Sequence, residues 1–354
     1  MGCNRQTSVL IPAYNCEASL AAAVESVINS ELQDTEIIIV DDGSTDRTPE
    51  VCRELCGKYA NVSAYRHDNA GVSAARNKAI ELSHGDYILF IDSDDTVRPF
   101  DIDKLNLLMS DDVDVIAFGL CFRYQRGNKI VKEEVLTCGS DRILAPKELA
   151  NDFEPLFDCN YLSTSCNKFI KRSILINSSI RFDGRLTNYE DLEFTMRLLP
   201  HITSFAALGE PYYDYRIEYG HDHTPERVAK IENIISNTDI IAQSFLAYCD
   251  YVKSSYGLEV PGLRKTLLTI YLNLIACKIR SCKYALVKRI CADFAADEYI
   301  PELLDTQNEL SDFDSYFLHF LISCRPLSLL CLVRCSSVRN SAAAMVKRIL
   351  RIER

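Results

Sequence analysis

Three short acidic segments carry most of the chemical information in this chain: Asp41-Asp42, Asp92-Ser93-Asp94-Asp95 and Glu190-Asp191. The densest is Asp92–Asp95, placed directly after the apolar run Asp86–Ile91 (DYILFI). Three carboxylates in four residues repel one another, and a buried strand end is an unfavourable place to leave them unpaired. A divalent cation resolves the conflict. Oxygen ligands suit Mg²⁺ or Mn²⁺, which keep waters and bridge to substrate phosphates. A solvated turn whose aspartates cap a helix starting near Pro99 is the competing reading, and this segment alone does not decide. Asp41-Asp42 at the end of a second apolar run shifts the balance. Two parallel strands that deliver carboxylates to one sheet edge converge on one cleft. Tyr14, after the first run, adds an aromatic face there. A ring beside a base, a carboxylate for its N–H and a metal for a diphosphate together suit a nucleotide.

The elements that must position these groups are legible around them. Ser8–Ala13 (SVLIPA) is of strand type, and Leu20, Val24, Val27 and Ile28 follow at helical spacing within Glu17–Asn29. Glu36–Val40 (EIIIV) reads as a buried strand and runs into the turn-rich Asp41–Asp46. A helix through Val51, Leu55 and Tyr59, a strand near Val62–Tyr65, a helix over Ser73–Leu82 and strands at Asp86–Ile91 and Asp114–Leu120 continue the alternation. Strands separated by helices of this length imply crossover connections and a mostly parallel sheet, whose ligands sit at the strands' carboxyl ends. Arg123–Thr137 reads as a hairpin, and Pro146–Phe157 and Asn167–Ile176 as helical. Beyond about Pro225 the pattern is helical almost throughout. The expected organisation is therefore an α/β domain over 1–225 and a helical region over 226–354.

Four motifs in order cover about the first hundred residues: SVLIPAYN (Ser8–Asn15), IVDDGSTD (Ile39–Asp46), NAGVSAARN (Asn69–Asn77) and FIDSDD (Phe90–Asp95). This set resembles the successive motifs of family 2 glycosyltransferases, which have the GT-A fold and are typically inverting. The resemblance implies that Asp42 recognises the nucleobase, with Asp41 close by. It also implies that Pro12 and Tyr14 lie near the base, and Arg76 near the nucleotide. The DxD element, Asp92 and Asp94 with Ser93 between and Asp95 adjacent, would bind the ribose and the diphosphate-bound metal. Which two of the three aspartates contact the metal stays open.

Asn188–Leu192 (NYEDL), preceded by Arg181-Phe182, resembles the family's ED motif. An inverting transfer needs a carboxylate to deprotonate the acceptor hydroxyl as it attacks. By that analogy Asp191 is the base, and Glu190 an alternative that orients the acceptor. Acidic residues also stabilise the first turn of any helix, which is the plainer explanation. Asn167-Lys168 with Lys171 and Arg172 resembles the segment before that motif; Lys168 reaching a phosphate or the acceptor and a solvated basic helix face both stand. In Tyr212–His223 (YYDYRIEYGHDH) the chain departs from the expected pattern. His221 or His223 completing the metal site competes there with a loop holding incidental histidines.

Composition narrows the class. A net charge of −11 argues against a general nucleic-acid binder. No glycine-rich fingerprint follows the first strand, which excludes a dinucleotide-dependent dehydrogenase. A nucleotidyltransferase, the alternative enzyme class, would carry an N-terminal glycine-rich phosphate loop with a Lys or Arg, and Ser8–Asn15 offers none. Fifteen cysteines with no CxxC pair read as buried reduced thiols. No segment resembles a signal peptide or approaches the ~20 apolar residues of a membrane span. Arg325–Arg354 carries seven Lys/Arg against one acidic residue. Within it Val338, Ala342, Met345, Val346, Ile349 and Ile352 share a helical face opposite Lys347, Arg348, Arg351 and Arg354, preceded by the apolar run Leu327–Val333. Such a helix suits an anionic bilayer, or packing on the acidic body. The expectation is a cytoplasmic Mn²⁺- or Mg²⁺-dependent transferase, peripheral on the membrane where its basic tail helix meets the bilayer. It would move a sugar from a UDP-sugar or similar donor to a saccharide or lipid-linked saccharide. An inactive nucleotide-sugar-binding relative is the non-enzymatic alternative.

Overall fold

The computed structural model describes residues 6–127, 129–187, 189–218 and 238–260, with the single positions 262, 263, 266 and 270. The chain divides into two compact units, Met1–His223 and Thr224–Arg354.

In the first unit the apolar runs form a sheet in which β3 (Val62–His67), β2 (Thr35–Asp42), β1 (Thr7–Ala13), β4 (Tyr87–Phe90), β9 (Lys168–Lys171), β6 (Val115–Arg126), β10 (Phe205–Glu218) and β5 (Thr96–Val97) follow one another, with β8 (Arg142–Leu144) also paired to β10. Strands β1 to β4 pair in parallel, as do β6 and β10. β9 (Lys168–Lys171) runs antiparallel between β4 and β6. β1 and β4 are buried along their whole length, which is why they are continuous apolar runs rather than alternating ones. Helix α1 (Leu20–Ile28) turns Leu20, Ala23, Val24 and Val27 inward. Helices α2 (Thr48–Lys58) and α3 (Val72–Leu82) complete the crossovers, so the expected mostly parallel sheet flanked by helices is present.

Three expectations need correction. The helix anticipated near Pro99 begins later: α4 spans Ile102–Ser110, and the Asp101 carboxylate caps it by accepting from the Lys104 N–H at 3.1 Å. The Asp92–Asp95 cluster is therefore not its cap. Between them lies β5 (Thr96–Val97), antiparallel to β10. Asn167–Ile176 is not one helix but strand β9 followed by the short α7 (Arg172–Asn177). Phe169 and Ile170 are both buried within a two-sided ladder. Such a strand shows no alternation, and the spacing of Lys168, Lys171 and Arg172 imitates a helix. The segment from Tyr212 to Glu218 is likewise strand, the end of β10, whose register shifts around Pro211 disguise its period. The hairpin over Arg123–Thr137 forms as β6 with β7 (Lys129–Leu136). Pro146–Phe157 divides into α5 (Pro146–Asn151) and α6 (Phe153–Asp158).

The second unit contains helix α9 (Thr238–Tyr256). It buries Ile241, Phe245, Tyr248 and Val252, one face at helical spacing. His221, His223 and the basic segment from Ser337 with Leu327–Val333 lie outside the described residues. Among the described residues no helix is long and apolar enough to cross a membrane.

Candidate active site

The strand order reverses between β1 and β4, the position where such sheets open a crevice at their carboxyl ends. The β1–β4 ladder stops at Leu10 opposite Phe90, whereas β1–β2 continues to Ala13 opposite Asp41. Pro12 is buried just beyond the point where β4 departs. Its missing N–H is tolerated there because no ladder bond is required on that side. Tyr14 follows, half exposed.

Asp41 and Asp42 end β2 and are both buried. The Asp41 Oδ1 accepts from the Ser44 N–H at 2.9 Å, and Arg66 lies 3.3 Å from Oδ2. Asp42 accepts from two successive amides, Ala70 at 2.8 Å and Gly71 at 2.9 Å, one on each oxygen. Each oxygen of a carboxylate has two acceptor positions, so Asp42 keeps capacity for a base N–H. Gly43 makes this approach feasible. Its φ is +73°, and a Cβ there would lie 2.7 Å from the Asn69 nitrogen. The loop after β1 is tied to the same turn, since Asn15 Oδ1 accepts from the Thr45 N–H at 2.8 Å. Asp46 is the capping member, accepting from the N–H groups of Thr48 at 2.9 Å and Glu17 at 3.2 Å.

Arg76, on α3, joins the remaining acidic segments. It is buried, and one nitrogen, Nη2, donates to Asp92 Oδ1 at 2.8 Å. Its Nη1 donates to Asp191 Oδ1 at 2.9 Å and Glu190 Oε1 at 3.3 Å. Burial alone would lower its pKa, but the carboxylates of Asp191, Asp92 and Glu190 together hold the guanidinium well above its ordinary range. Burial and the Asp191 charge raise Glu190, against the pull of Arg76. The guanidinium lies 5.2 Å from the Phe182 ring centroid. Phe182 stacks on Phe194 at 4.2 Å, and Phe90 meets Phe182 edge-on at 5.3 Å. Asn77, next to Arg76, donates to the Phe182 carbonyl at 2.9 Å and accepts from the Phe182 N–H at 2.8 Å. The expected nucleotide-side arginine thus fastens the DxD segment to the ED segment.

Within Asp92–Asp95 the roles divide. The Asp94 carboxyl is raised by partial withdrawal from water and by the Asp92 charge. Asp95 is only 2% exposed. Tyr213 Oη donates to its Oδ2 at 2.9 Å, and the Arg216 N–H to its Oδ1 at 2.7 Å. Burial, then the charges of Asp92 and Asp94, push it up to about 8. Asp95 is thus engaged by β10, while Asp92 and Asp94 hold the cleft side. Burial raises the Cys16 thiol, and Ser93 and Thr48 oppose that rise. Among the described residues no three His, Cys, Asp or Glu side chains converge as a protein-only cage. Two carboxylates that repel one another at a strand end do fit a Mg²⁺- or Mn²⁺-sized ion that takes its other ligands from phosphate and water.

Glu190 and Asp191 open helix α8 (Glu190–Leu198), directly after Tyr189, whose φ of +61° is left-handed. Asp191 has a further partner that the motifs did not indicate. Ser165 donates from its Oγ to Asp191 Oδ1 at 3.0 Å and from its N–H to Oδ2 at 3.1 Å. Lys168 does not reach the cleft and is not part of a solvated face. It is 1% exposed, and its Nζ donates to the Thr164 carbonyl and to Asn167 Oδ1. Burial lowers it to about 8. Tyr213 and Ser165 were missed because their contacts span 118 and 26 residues. For Asn77 its place beside Arg76 in the AARN motif was the available signal.

Residues 8–176 match the profile described as glycosyl transferase family 2. Putative glycosyltransferase EpsH of Bacillus subtilis is 30% identical over 212 residues, covering 59% of this chain and 60% of EpsH. The minor teichoic acid biosynthesis protein GgaB of the same organism is 31% identical over 220 residues, 60% of this chain and 23% of GgaB. The match therefore spans less than two thirds of either relative. The crystal structure of S. aureus TarS 1-349 in complex with UDP superposes with a TM-score of 0.65 at 17% identity, covering 94% of this chain and 91% of that one. At that identity the likeness is one of fold, the GT-A arrangement. With the four motifs gathered at one sheet edge and the profile match over them, residues 8–176 form a glycosyl transferase family 2 domain.

Proposed function

We propose that the protein transfers a sugar from a UDP-sugar to an acceptor hydroxyl with inversion, in the synthesis of a cell-surface polysaccharide or glycoconjugate. The observation that carries this reading is the Arg76 junction, which binds Asp92 on one side and Glu190 and Asp191 on the other. A donor-phosphate carboxylate and a base are thereby held on one cation. The nucleotide choice draws on TarS, solved with UDP and with UDP-GlcNAc. The product class draws on GgaB and on the poly(ribitol-phosphate) beta-glucosyltransferase of Bacillus spizizenii, 25% identical over 244 residues.

In this mechanism Asp42 accepts the base N–H and Tyr14 lies beside the ring. Asp92 and Asp94 would hold Mn²⁺ or Mg²⁺, which when bound neutralises charge on the leaving diphosphate. Asp191 takes the proton of the acceptor hydroxyl as its oxygen bonds to the anomeric carbon. The carbon–oxygen bond to the diphosphate breaks on the opposite face, and its electron pair leaves with the diphosphate. Glu190 orients the acceptor. A lipid-linked acceptor would give the basic C-terminal sequence a use at an anionic bilayer.

The test is UDP release and transfer across a UDP-sugar panel with Mn²⁺, Mg²⁺ or EDTA, for the wild type and Asp94→Ala. Metal-dependent release from one donor, lost in Asp94→Ala, is expected. Failure to bind any UDP-sugar with metal present would overturn the donor assignment. Binding without turnover would instead favour an inactive nucleotide-sugar-binding protein.

A further inference from the structure

Asp191 offers its two oxygens unequally. Oδ1 accepts from Arg76 Nη1 at 2.9 Å and from Ser165 Oγ at 3.0 Å. Oδ2 accepts only the Ser165 N–H, at 3.1 Å, among the described residues. A carboxylate oxygen has two acceptor positions, so Oδ1 is filled and Oδ2 keeps one. Ser165 itself is fully buried, at 0% exposure. The Asp191 side chain keeps 19% of its surface exposed, so the carboxylate is not sealed inside the protein.

We propose that Ser165 is a positioning residue for the transfer. By gripping Asp191 through both its hydroxyl and its amide, it fixes the carboxylate plane and leaves Oδ2 as the atom that takes the acceptor proton. The inference rests on Asp191 being the base, as read above. Arg76 alone is a poor orienter, because its Nη1 is shared between Asp191 and Glu190 and a carboxylate can rotate about one contact. The second and third contacts from Ser165 remove that rotation. Proton transfer is sensitive to such placement, since the accepting atom must lie within hydrogen-bond reach of the attacking hydroxyl. Ser165 contributes no proton and touches no substrate; it acts only through Asp191.

The experiment compares Ser165→Ala, Ser165→Thr, Asp191→Asn and the double variant Ser165→Ala/Asp191→Asn in the full chain. Ser165→Ala keeps the amide contact and loses the hydroxyl. A hydrogen bond to a charged group is the contact removed, so kcat is expected to fall about tenfold or more. Donor KM and UDP affinity should stay within about twofold. Ser165→Thr, which keeps the hydroxyl, should recover most of the rate. In the Asp191→Asn background the alanine should add no further loss, because its only route of action is gone. A Ser165→Ala enzyme at wild-type kcat beside an inactive Asp191→Asn would overturn this inference alone, as would losses that multiply in the double variant. Full transfer by Asp191→Asn would overturn the base assignment and this inference with it. UDP affinity and the unfolding midpoint of Ser165→Ala separate a misplaced base from a misfolded protein.

Discussion

The two ends of the cleft hold their acidic groups by different means. At the nucleotide end Asp42 is fixed by the backbone amides of Ala70 and Gly71, and Asp41 Oδ1 by that of Ser44. At the proposed acceptor end Glu190 and Asp191 share the side chain of Arg76 with Asp92 of the donor-phosphate segment, and Ser165 is a second grip. The amides belong to loops of fixed shape, and Arg66 adds its charge only at Asp41 Oδ2, so the first arrangement spreads its compensation over several groups. The second concentrates the compensation of three buried or half-buried negative charges on one guanidinium. The nucleotide end should therefore fail gradually on substitution and the acceptor end abruptly.

The largest expected effect is at Arg76. Arg76→Ala removes a buried guanidinium from three partly exposed carboxylates; breaking a fully buried pair costs about 3–5 kcal/mol, which sets the upper end of the loss. Denaturant unfolding should show that loss, with transfer abolished. Arg76→Lys should restore little, since an ammonium lacks the planar fork that reaches partners on both sides. Wild-type stability in Arg76→Ala would erase the proposed difference between the ends. Next comes Asp191→Asn, for which removal of a general base predicts a kcat loss of about 10²–10⁴ with UDP affinity retained. Isothermal titration with UDP and single-turnover transfer measure the two halves of that statement.

A smaller effect sharpens the nucleotide side. Gly43→Ala forces a Cβ into a left-handed position and against the Asn69 nitrogen, a strain of roughly 1–2 kcal/mol or more. UDP affinity should drop as the loop carrying Ala70 and Gly71 shifts, while kcat at saturating donor changes little. A kcat effect larger than the affinity effect would show that the two ends are not separable.

The smallest effect concerns Lys168, lowered to about 8 by burial. Its folded value lies below the unfolded value of about 10.4. The unfolded chain thus binds more protons between these values, and this group makes stability rise with pH from about 8 to about 10. Lys168→Met should flatten that rise in unfolding measurements across the window. An unchanged pH profile would mean that the buried amine titrates like an exposed one.

The same contrast explains how much of the site is legible in the sequence. The nucleotide end is contiguous: Ile37–Val40 is a run of β-branched residues, and the turn chemistry of Asp41–Asp46 follows at once. Local pattern sufficed there. At the acceptor end the partners of Arg76 are 16, 114 and 115 residues away. Motif order predicted that these residues belong to one site but not that a guanidinium joins them. Strand β9 escaped because both its faces are covered, and β10 because Pro211 interrupts its register. Ser165 carried no signal at all: a serine in a polar stretch is ordinary, and half its contact is made by the backbone.

The aromatic group beneath Arg76 has a consequence for engineering. Phe90 precedes the DxD element, Phe182 precedes the ED element and Phe194 lies on α8, so one cluster of rings underlies the residues proposed for donor and for acceptor. Interiors packed this closely transmit displacement rather than absorb it. A library that randomises acceptor-facing residues near Phe182 will therefore also perturb donor turnover. One that varies the loops around Tyr14 and Asn69 can retune the nucleotide with the catalytic carboxylates left in place. Donor and acceptor preference in this enzyme should evolve through different numbers of steps.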